Sequence, residues 1–286
     1  MNWVAYSFMM FISSVALYLT VRKSSLINTP TYLTNLAMFA IPFVAYLLIG
    51  VFSRSNFAMA WWQTLIILIT AVLFAYGGNK ASLHAISVAP NPGYSLVLSK
   101  SYVLFTTIVA VALLGAELTA QKAIAILMIV AFSALVMVTK SDTKSVSSEK
   151  WIALSFGAFF AWGMLSLISK YLFSQGVETI TFLIYLYAIV TICIIAIDKV
   201  KVSRIKDIST QAKVLLIGTG IFSTLFNLGQ FEAIRLAPNV GYVNAINAGS
   251  IAVVTILAVL LFKDELTMRK AVGIFGVTLG LVLLLT

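Results

Sequence analysis

The hexapeptide APNPGY at Ala89–Tyr94 recurs as APNVGY at Ala237–Tyr242, 148 residues further along the chain. When the second half is placed on the first at this spacing without gaps, 13 of the 31 positions in 89–119 match those in 237–267. A biased composition alone gives only a handful of matches. The sequence therefore predicts two copies of one structural unit.

The composition is that of a membrane protein, with 61% hydrophobic residues, 10% charged residues and a mean hydropathy of +1.05. A helix needs about 20 mostly apolar residues to cross about 30 Å of hydrocarbon. The continuous apolar runs exclude barrel strands, which alternate in polarity. The first run lacks a basic start and a cleavage site, so we expect a span and not a signal peptide. Ten spans are predicted, near 3–21, 30–52, 61–86, 89–114, 119–139, 151–173, 178–198, 211–235, 238–262 and 267–285.

Each predicted copy contains five spans, and five is an odd number. An odd-span repeat inserts its second copy upside down, which relates the halves by a pseudo-two-fold axis in the membrane plane. We therefore predict an all-α membrane protein of two inverted five-helix repeats, 1–140 and 151–286, joined by a linker at 141–150. In this architecture the hexapeptides, with Pro90 and Pro238 at helix starts, open a cavity-lining helix in each half.

The span ends LLGAELTAQKA (113–123) and LLFKDELTMRKAVGIFGVTLGLVLLL (260–285) resemble the drug/metabolite transporter superfamily, specifically its EamA-like members. The resemblance covers nearly the whole chain. It implies a ten-helix secondary transporter in which helices 3, 4, 8 and 9 are prominent around a central cavity. The substrate does not follow, because members carry amino acids, nucleotide sugars, cationic drugs and other metabolites.

The resembling motifs themselves are expected to be structural. Glu117 and Glu265 fall in short turns, where they can cap the next helix through its free N–H groups. Gly273, Gly276 and Gly280 predict a face at which helix backbones pack closely. Other small residues, Gly77–Gly78 with Gly218 and Gly220, are expected to permit bending.

Lys100 is the sharpest candidate for a functional residue. It lies about eleven residues into span 4, roughly 16 Å along the helix axis, and an ionisable group in hydrocarbon costs about 2.5–3.5 kcal/mol. Glu232 in span 8 is a possible partner, and Lys80 with His84 forms a further pair of coupling candidates on one face of span 3. A snorkelling or purely structural lysine is the alternative.

Amides and deep aromatic residues extend the candidate substrate site. Interhelical hydrogen bonds and core packing are the structural alternatives for them. They are Asn79, Asn227, Asn244, Asn247, Trp162 and Tyr102.

Several function classes lack their motifs. The chain has no GxxxxGK[ST] loop, no HExxH and no GxSxG, and its single cysteine, Cys193, supplies no metal pattern. We therefore expect no enzyme, no cofactor, no metal and no ATPase partner. The partners expected are a small-molecule substrate and the lipid bilayer, without nucleic acid, for a monomer in a prokaryotic plasma membrane.

The distribution of Lys and Arg over the loops, and not the net charge of +10 itself, indicates membrane orientation. Fourteen Lys and Arg residues follow the odd-numbered spans and four follow the even-numbered ones, or thirteen and four if Lys80 lies inside span 3. This bias predicts that both termini lie outside, whereas the resemblance implies cytoplasmic termini.

Three functions remain open at this point. The first is a secondary transporter, exporting or exchanging an amino-acid-like or carboxylate-bearing metabolite, with spans 1–5 and 6–10 rocking about a central site. The second is a multidrug exporter of cationic compounds, which the absence of acids from spans 1 and 6 disfavours. The third is a passive channel or scaffold.

Overall fold

A computed structural model describes residues 2–89, 92–138 and 150–286. Every regular element in these ranges is a helix, and ten helices are long and apolar enough to cross a bilayer. The predicted all-α class and ten spans are thus confirmed. The helices are α1 (Trp3–Leu26), α2 (Thr31–Phe52), α3 (Trp61–Val88), α4 (Gly93–Leu114), α5 (Ala120–Met137), α6 (Lys150–Ser174), α7 (Thr179–Ala196), α8 (Thr210–Leu236), α9 (Val240–Phe262) and α10 (Met268–Leu285).

The helix bounds repeat at the spacing found in the sequence. Adding 148 to the bounds of α5 gives those of α10, and the ends of α4 and α9 differ by the same number. The residues that follow α4 and α9 are Gly115 and Lys263, and both have a left-handed backbone conformation, with φ of 63° and 59°. The two halves therefore share the bounds of their last helix and the geometry of the turn before it, while their inverted orientation stays a prediction. The predicted linker lies outside the described residues up to position 149.

The turns that precede α5 and α10 also share one cap, but the predicted capping residue was wrong. The hydroxyl oxygens of Thr119 and Thr267 accept hydrogen bonds from the backbone N–H groups of Lys122 and Lys270, at 3.3 and 3.4 Å. Threonine occupies the position before each helix, where an extended backbone aims the side chain at the free N–H groups. The carboxylates of the Glu-Leu-Thr motif are left exposed.

The described residues divide into two compact units. The first unit consists of Met1–Tyr76 and Tyr171–Arg235. In it α2 packs on α7, and the buried Tyr46 hydroxyl donates to the carbonyl of Thr224 at 2.7 Å. Gly229 brings α8 close to α1, because a Cβ at this position would lie 2.8 Å from the backbone nitrogen of Met10.

The second unit consists of Gly77–Lys170 and Leu236–Thr286. In it α5 packs along α10 and α4 packs on α9. The predicted glycine face of α10 is confirmed, since a Cβ at Gly276 would overlap the ring of Phe132 and one at Gly280 would lie 2.8 Å from the side chain of Ile129. Each unit combines helices from both sequence repeats, so units and repeats are different divisions of the chain.

Helix α3 changes its winding where the first unit ends. It is α-helical over Trp61–Ile69 and Gly77–Val88, and π-helical over Thr70–Tyr76. Such stretches are rare and commonly occur at functional sites. The irregular turn therefore precedes the glycines that were expected to permit bending. Gly78 instead serves close packing, because its Cβ would lie 2.5 Å from that of Ala161.

The second hexapeptide attaches the start of α9 to the turn between α4 and α5. Asn239 caps α9 by accepting from the backbone N–H of Gly241 at 2.8 Å, and its amide donates to the carbonyl of Glu117 at 3.2 Å. The hydroxyl of Tyr242 donates to the same carbonyl at 2.7 Å. The motif is thus a structural junction. Pro238 was predicted at the start of the helix, but it precedes the capping residue Asn239. Pro90 and Asn91 of the first copy lie outside the described residues.

Replacing Tyr242 by phenylalanine is expected to lower the free energy of unfolding by about 1 kcal/mol, because one hydrogen bond to a buried junction is lost. Thermal unfolding of the purified protein measures the change. The matched control is Tyr94→Phe at the equivalent position of the first copy, where the side chain is 45% exposed. Equal effects of the two substitutions would contradict the junction.

Candidate functional site

Lys100 lies at an interruption of α4. The α-helical winding stops at Lys100 and resumes at Tyr102, with Ser101 as a turn residue between them. The hydroxyl of Ser101 donates to the carbonyl of Val97 at 2.8 Å. The charged side chain therefore projects from the irregular middle of a membrane-spanning helix.

A small pocket in the second unit is formed by α4, α5 and α9, and Lys100 lines it. The cavity volume is about 10 Å³, far below the roughly 300–1,000 Å³ of most small-molecule sites. In this conformation the pocket therefore has room for about one water molecule and not for a metabolite. The lining residues are Val97, Lys100, Ser101, Val130, Ser133, Ala134, Met137 and Ala248.

The repeat relates two of these lining residues. Ala248 occupies the position 148 residues after Lys100, and the hydroxyl of Ser133 donates to its carbonyl at 3.5 Å. The pocket thus lies where equivalent positions of α4 and α9 meet. Ala248 and Ser133 were not singled out from the sequence, although the 148-residue spacing could have identified Ala248.

Three of the predicted site residues meet in one cluster. The ammonium nitrogen of Lys100 lies 4.6 Å from the centre of the Trp162 ring. That ring meets the ring of Tyr102 edge-on, with centroids 6.1 Å apart. A cation over an aromatic face gains about 2 kcal/mol when desolvated. The tryptophan therefore stabilises the charged form of Lys100 inside the span.

Asn244 of α9 contacts α4 at Thr106, which follows Lys100 in the sequence. It is fully buried, and its amide nitrogen donates to the hydroxyl oxygen of Thr106 at 3.1 Å. Among the described residues, the amide oxygens of Asn244 and of Asn247 have no hydrogen-bond donor. Each buried acceptor without a donor costs about 1–3 kcal/mol. Thr106 was missed from the sequence because only packing brings it to α9.

The candidates of α8 are engaged within their own helix in the first unit. The carboxylate of Glu232 accepts from Arg235 Nε at 3.0 Å and Nη2 at 2.6 Å. The amide of Asn227 donates to the carbonyl of Ser223 at 2.8 Å. Glu232 thus has a cationic partner one turn away, and its pairing with Lys100 stays a prediction.

The candidates of α3 lie in the part of that helix that belongs to the second unit. Asn79 is half-buried, whereas Lys80 and His84 are exposed. Lys80 lies within α3 and is therefore not part of the loop that follows this helix; Lys140 and Lys144 fall outside the described residues. Across 2–89, 92–138 and 150–286, no three His, Cys, Asp or Glu side chains are grouped to hold a metal ion.

Comparisons with known proteins agree with this architecture. A solved crystal structure of another protein superposes with a TM-score of 0.78 over 98% of this chain and 95% of the other, at 14% sequence identity, which concerns the fold alone. A search of curated proteins finds no match. The model of the EamA-like transporter family matches residues 149–286, which contain α6 to α10. This second half of the chain is thus similar to the EamA-like transporter family, and the ten apolar helices are those of an integral, multi-pass membrane protein.

Proposed function

We propose that the protein is a secondary active transporter, an exporter or exchanger, of a small carboxylate-bearing metabolite such as an amino acid, and that it works by alternating access. The observation that carries the proposal is the position of Lys100. Its ammonium group lies at the interruption of α4, on the wall of a pocket, at a depth where a charge is costly. Intramembrane charges of this kind mark substrate or ion pathways.

A carboxylate suits this pocket chemically. Opposite charge offsets the desolvation of the ammonium group, whereas the hydroxyls of Ser101 and Ser133, which line the same space, already donate to backbone carbonyls. Trp162 covers one face of the cation. The cluster therefore favours an anionic group over a cationic one.

The repeat supports alternating access. Equivalent positions that meet at one pocket, Lys100 and Ala248, are what a two-fold axis through that region produces. Inverted repeats build transporters in which equivalent half-channels open on opposite faces around a midplane site. We therefore infer that the pocket belongs to the substrate pathway.

A cation exporter is the second candidate, and Glu232 is the acid it would use. The ion pair with Arg235 already neutralises that carboxylate, which weighs against a free acid for a cationic drug. A proton-releasing Lys100–Glu232 pair would permit a neutral or cationic substrate.

Ligand-dependent thermal stabilisation separates these candidates. The panel consists of the L-amino acids, simple mono- and dicarboxylates and lipophilic cations, tested on the purified protein. A ligand at 100 times its Kd stabilises the folded state by about 2.7 kcal/mol. We expect stabilisation by a carboxylate-bearing compound. Stabilisation by cations alone would overturn the proposed substrate class.

A further inference from the structure

The amide of Asn244 has a defined orientation. The hydroxyl of Thr106 donates its hydrogen to the carbonyl of Val103 at 3.0 Å, so its oxygen is left to accept from the Asn244 nitrogen. The amide oxygen of Asn244 must therefore point away from Thr106. No described residue donates to it, although the side chain is fully buried.

Asn247 adds a second acceptor on the same face of α9. It follows Asn244 by three residues, a spacing that places the two Cβ atoms about 5–6 Å apart. Its side chain is 7% exposed, and its amide oxygen is likewise buried and receives no donor from the part of the chain that the structure describes. Two acceptor oxygens one turn apart fit one group that carries several N–H donors.

The acceptor pair is close in the fold to the Lys100 pocket. Asn247 immediately precedes Ala248, which lines the pocket, and Asn244 is hydrogen-bonded to the helix segment that begins two residues after Lys100. A donor-binding site and an ammonium group are thus held by the same two helices, α4 and α9. A zwitterion carries the complementary groups.

We propose that the amide oxygens of Asn244 and Asn247 accept N–H hydrogen bonds from the ammonium group of an α-amino acid whose carboxylate binds Lys100. This inference rests on the proposed function and specifies the second half of its ligand. Neutral amide oxygens suit a site beside Lys100, because a carboxylate there would pair with the lysine and compete with the substrate. The requirement is for N–H donors and not for positive charge alone.

The test compares ligands that differ only in those donors. L-Alanine, L-leucine and L-phenylalanine are each titrated against their N,N,N-trimethyl betaines, which keep both charges and lack every N–H, and against their des-amino carboxylates. We expect the amino acids to bind the wild-type protein at least about tenfold more tightly than either analogue. In the Asn244→Leu variant, the ratio of amino acid affinity to betaine affinity should fall to about one. A steric effect of the methyl groups would leave this ratio unchanged.

The matched control is Thr219→Val, which removes a fully buried hydroxyl that also has no partner among the described residues, in the first unit. It should leave the amino acid-to-betaine ratio unchanged. Equal binding of amino acids and betaines to the wild-type protein, which needs no variant to fold, would overturn the inference and leave the carboxylate transporter intact. Binding of no carboxylate at all would instead reject the proposed substrate class, and this inference with it.

Discussion

Replacing Gly276 by leucine is expected to destabilise the second unit strongly. A Cβ at this position would already overlap the ring of Phe132. A Cβ at Gly273, one turn earlier, would lie 2.9 Å from the carbonyl oxygen of Phe132. Overpacking of a tight contact costs about 1–3 kcal/mol or more, a large share of a typical stability of 5–15 kcal/mol. Size-exclusion chromatography and thermal unfolding in detergent should show aggregated protein or a strongly lowered Tm.

An alanine pair provides the control for this packing effect. Gly276→Ala should be clearly destabilising, whereas Gly157→Ala in the same unit should be neutral or slightly stabilising. A Cβ at Gly157 would have its nearest neighbour 3.9 Å away, at Ala81, and alanine favours the helix. Equal Tm values for the two variants would show that α5 and α10 do not make the close contact.

Replacing Lys100 by methionine is expected to weaken binding of the carboxylate substrate by at least about 30-fold, because truncating one partner of a buried charge pair costs 2 kcal/mol or more. Methionine keeps most of the side-chain volume, so the fold should be retained. Lys100→Arg keeps the charge and should recover part of the affinity. Ligand-dependent thermal stabilisation and uptake into liposomes measure both variants.

Lys122→Met is the matched control for the loss of a cation in the same unit. The ammonium group of Lys122 donates to the carbonyl of Leu284 at the end of α10, at 2.6 Å. Its removal should lower stability modestly and leave substrate affinity unchanged. Transport by Lys100→Met at the wild-type rate, with unaltered affinity and pH dependence, would show that Lys100 is only a tolerated structural charge.

The ten spans and the repeat could be predicted because both depend on local properties. Span length follows from apolar runs, and the 148-residue spacing follows from identities such as those of the two hexapeptides. The π-helical turn at Thr70–Tyr76 and the break of α4 at Ser101 were not predicted. Neither carries a proline at the irregular residues, so both depend on packing that no single helix records.

For the candidate site, the sequence singled out residues but not the contacts between them. The depth of Lys100 and Trp162 in their spans identified them, and the structure brings them together with Tyr102. The bond from Asn244 to Thr106 joins residues 138 positions apart, and no periodicity predicts it. The expected partner of Lys100 was chosen as the single acid deep in a span, a criterion that could not reveal the Arg235 guanidinium beside Glu232.

The most direct test of transport by alternating access is counterflow in liposomes. Vesicles that contain the purified protein are loaded with the unlabelled amino acid that binds most tightly, and entry of the labelled compound is followed without an ion gradient. We predict transient accumulation of label above its external concentration, strongly reduced in Lys100→Met and retained in Lys122→Met. Entry of label at the same rate into loaded and empty vesicles, without accumulation, would indicate a channel and contradict the proposed function.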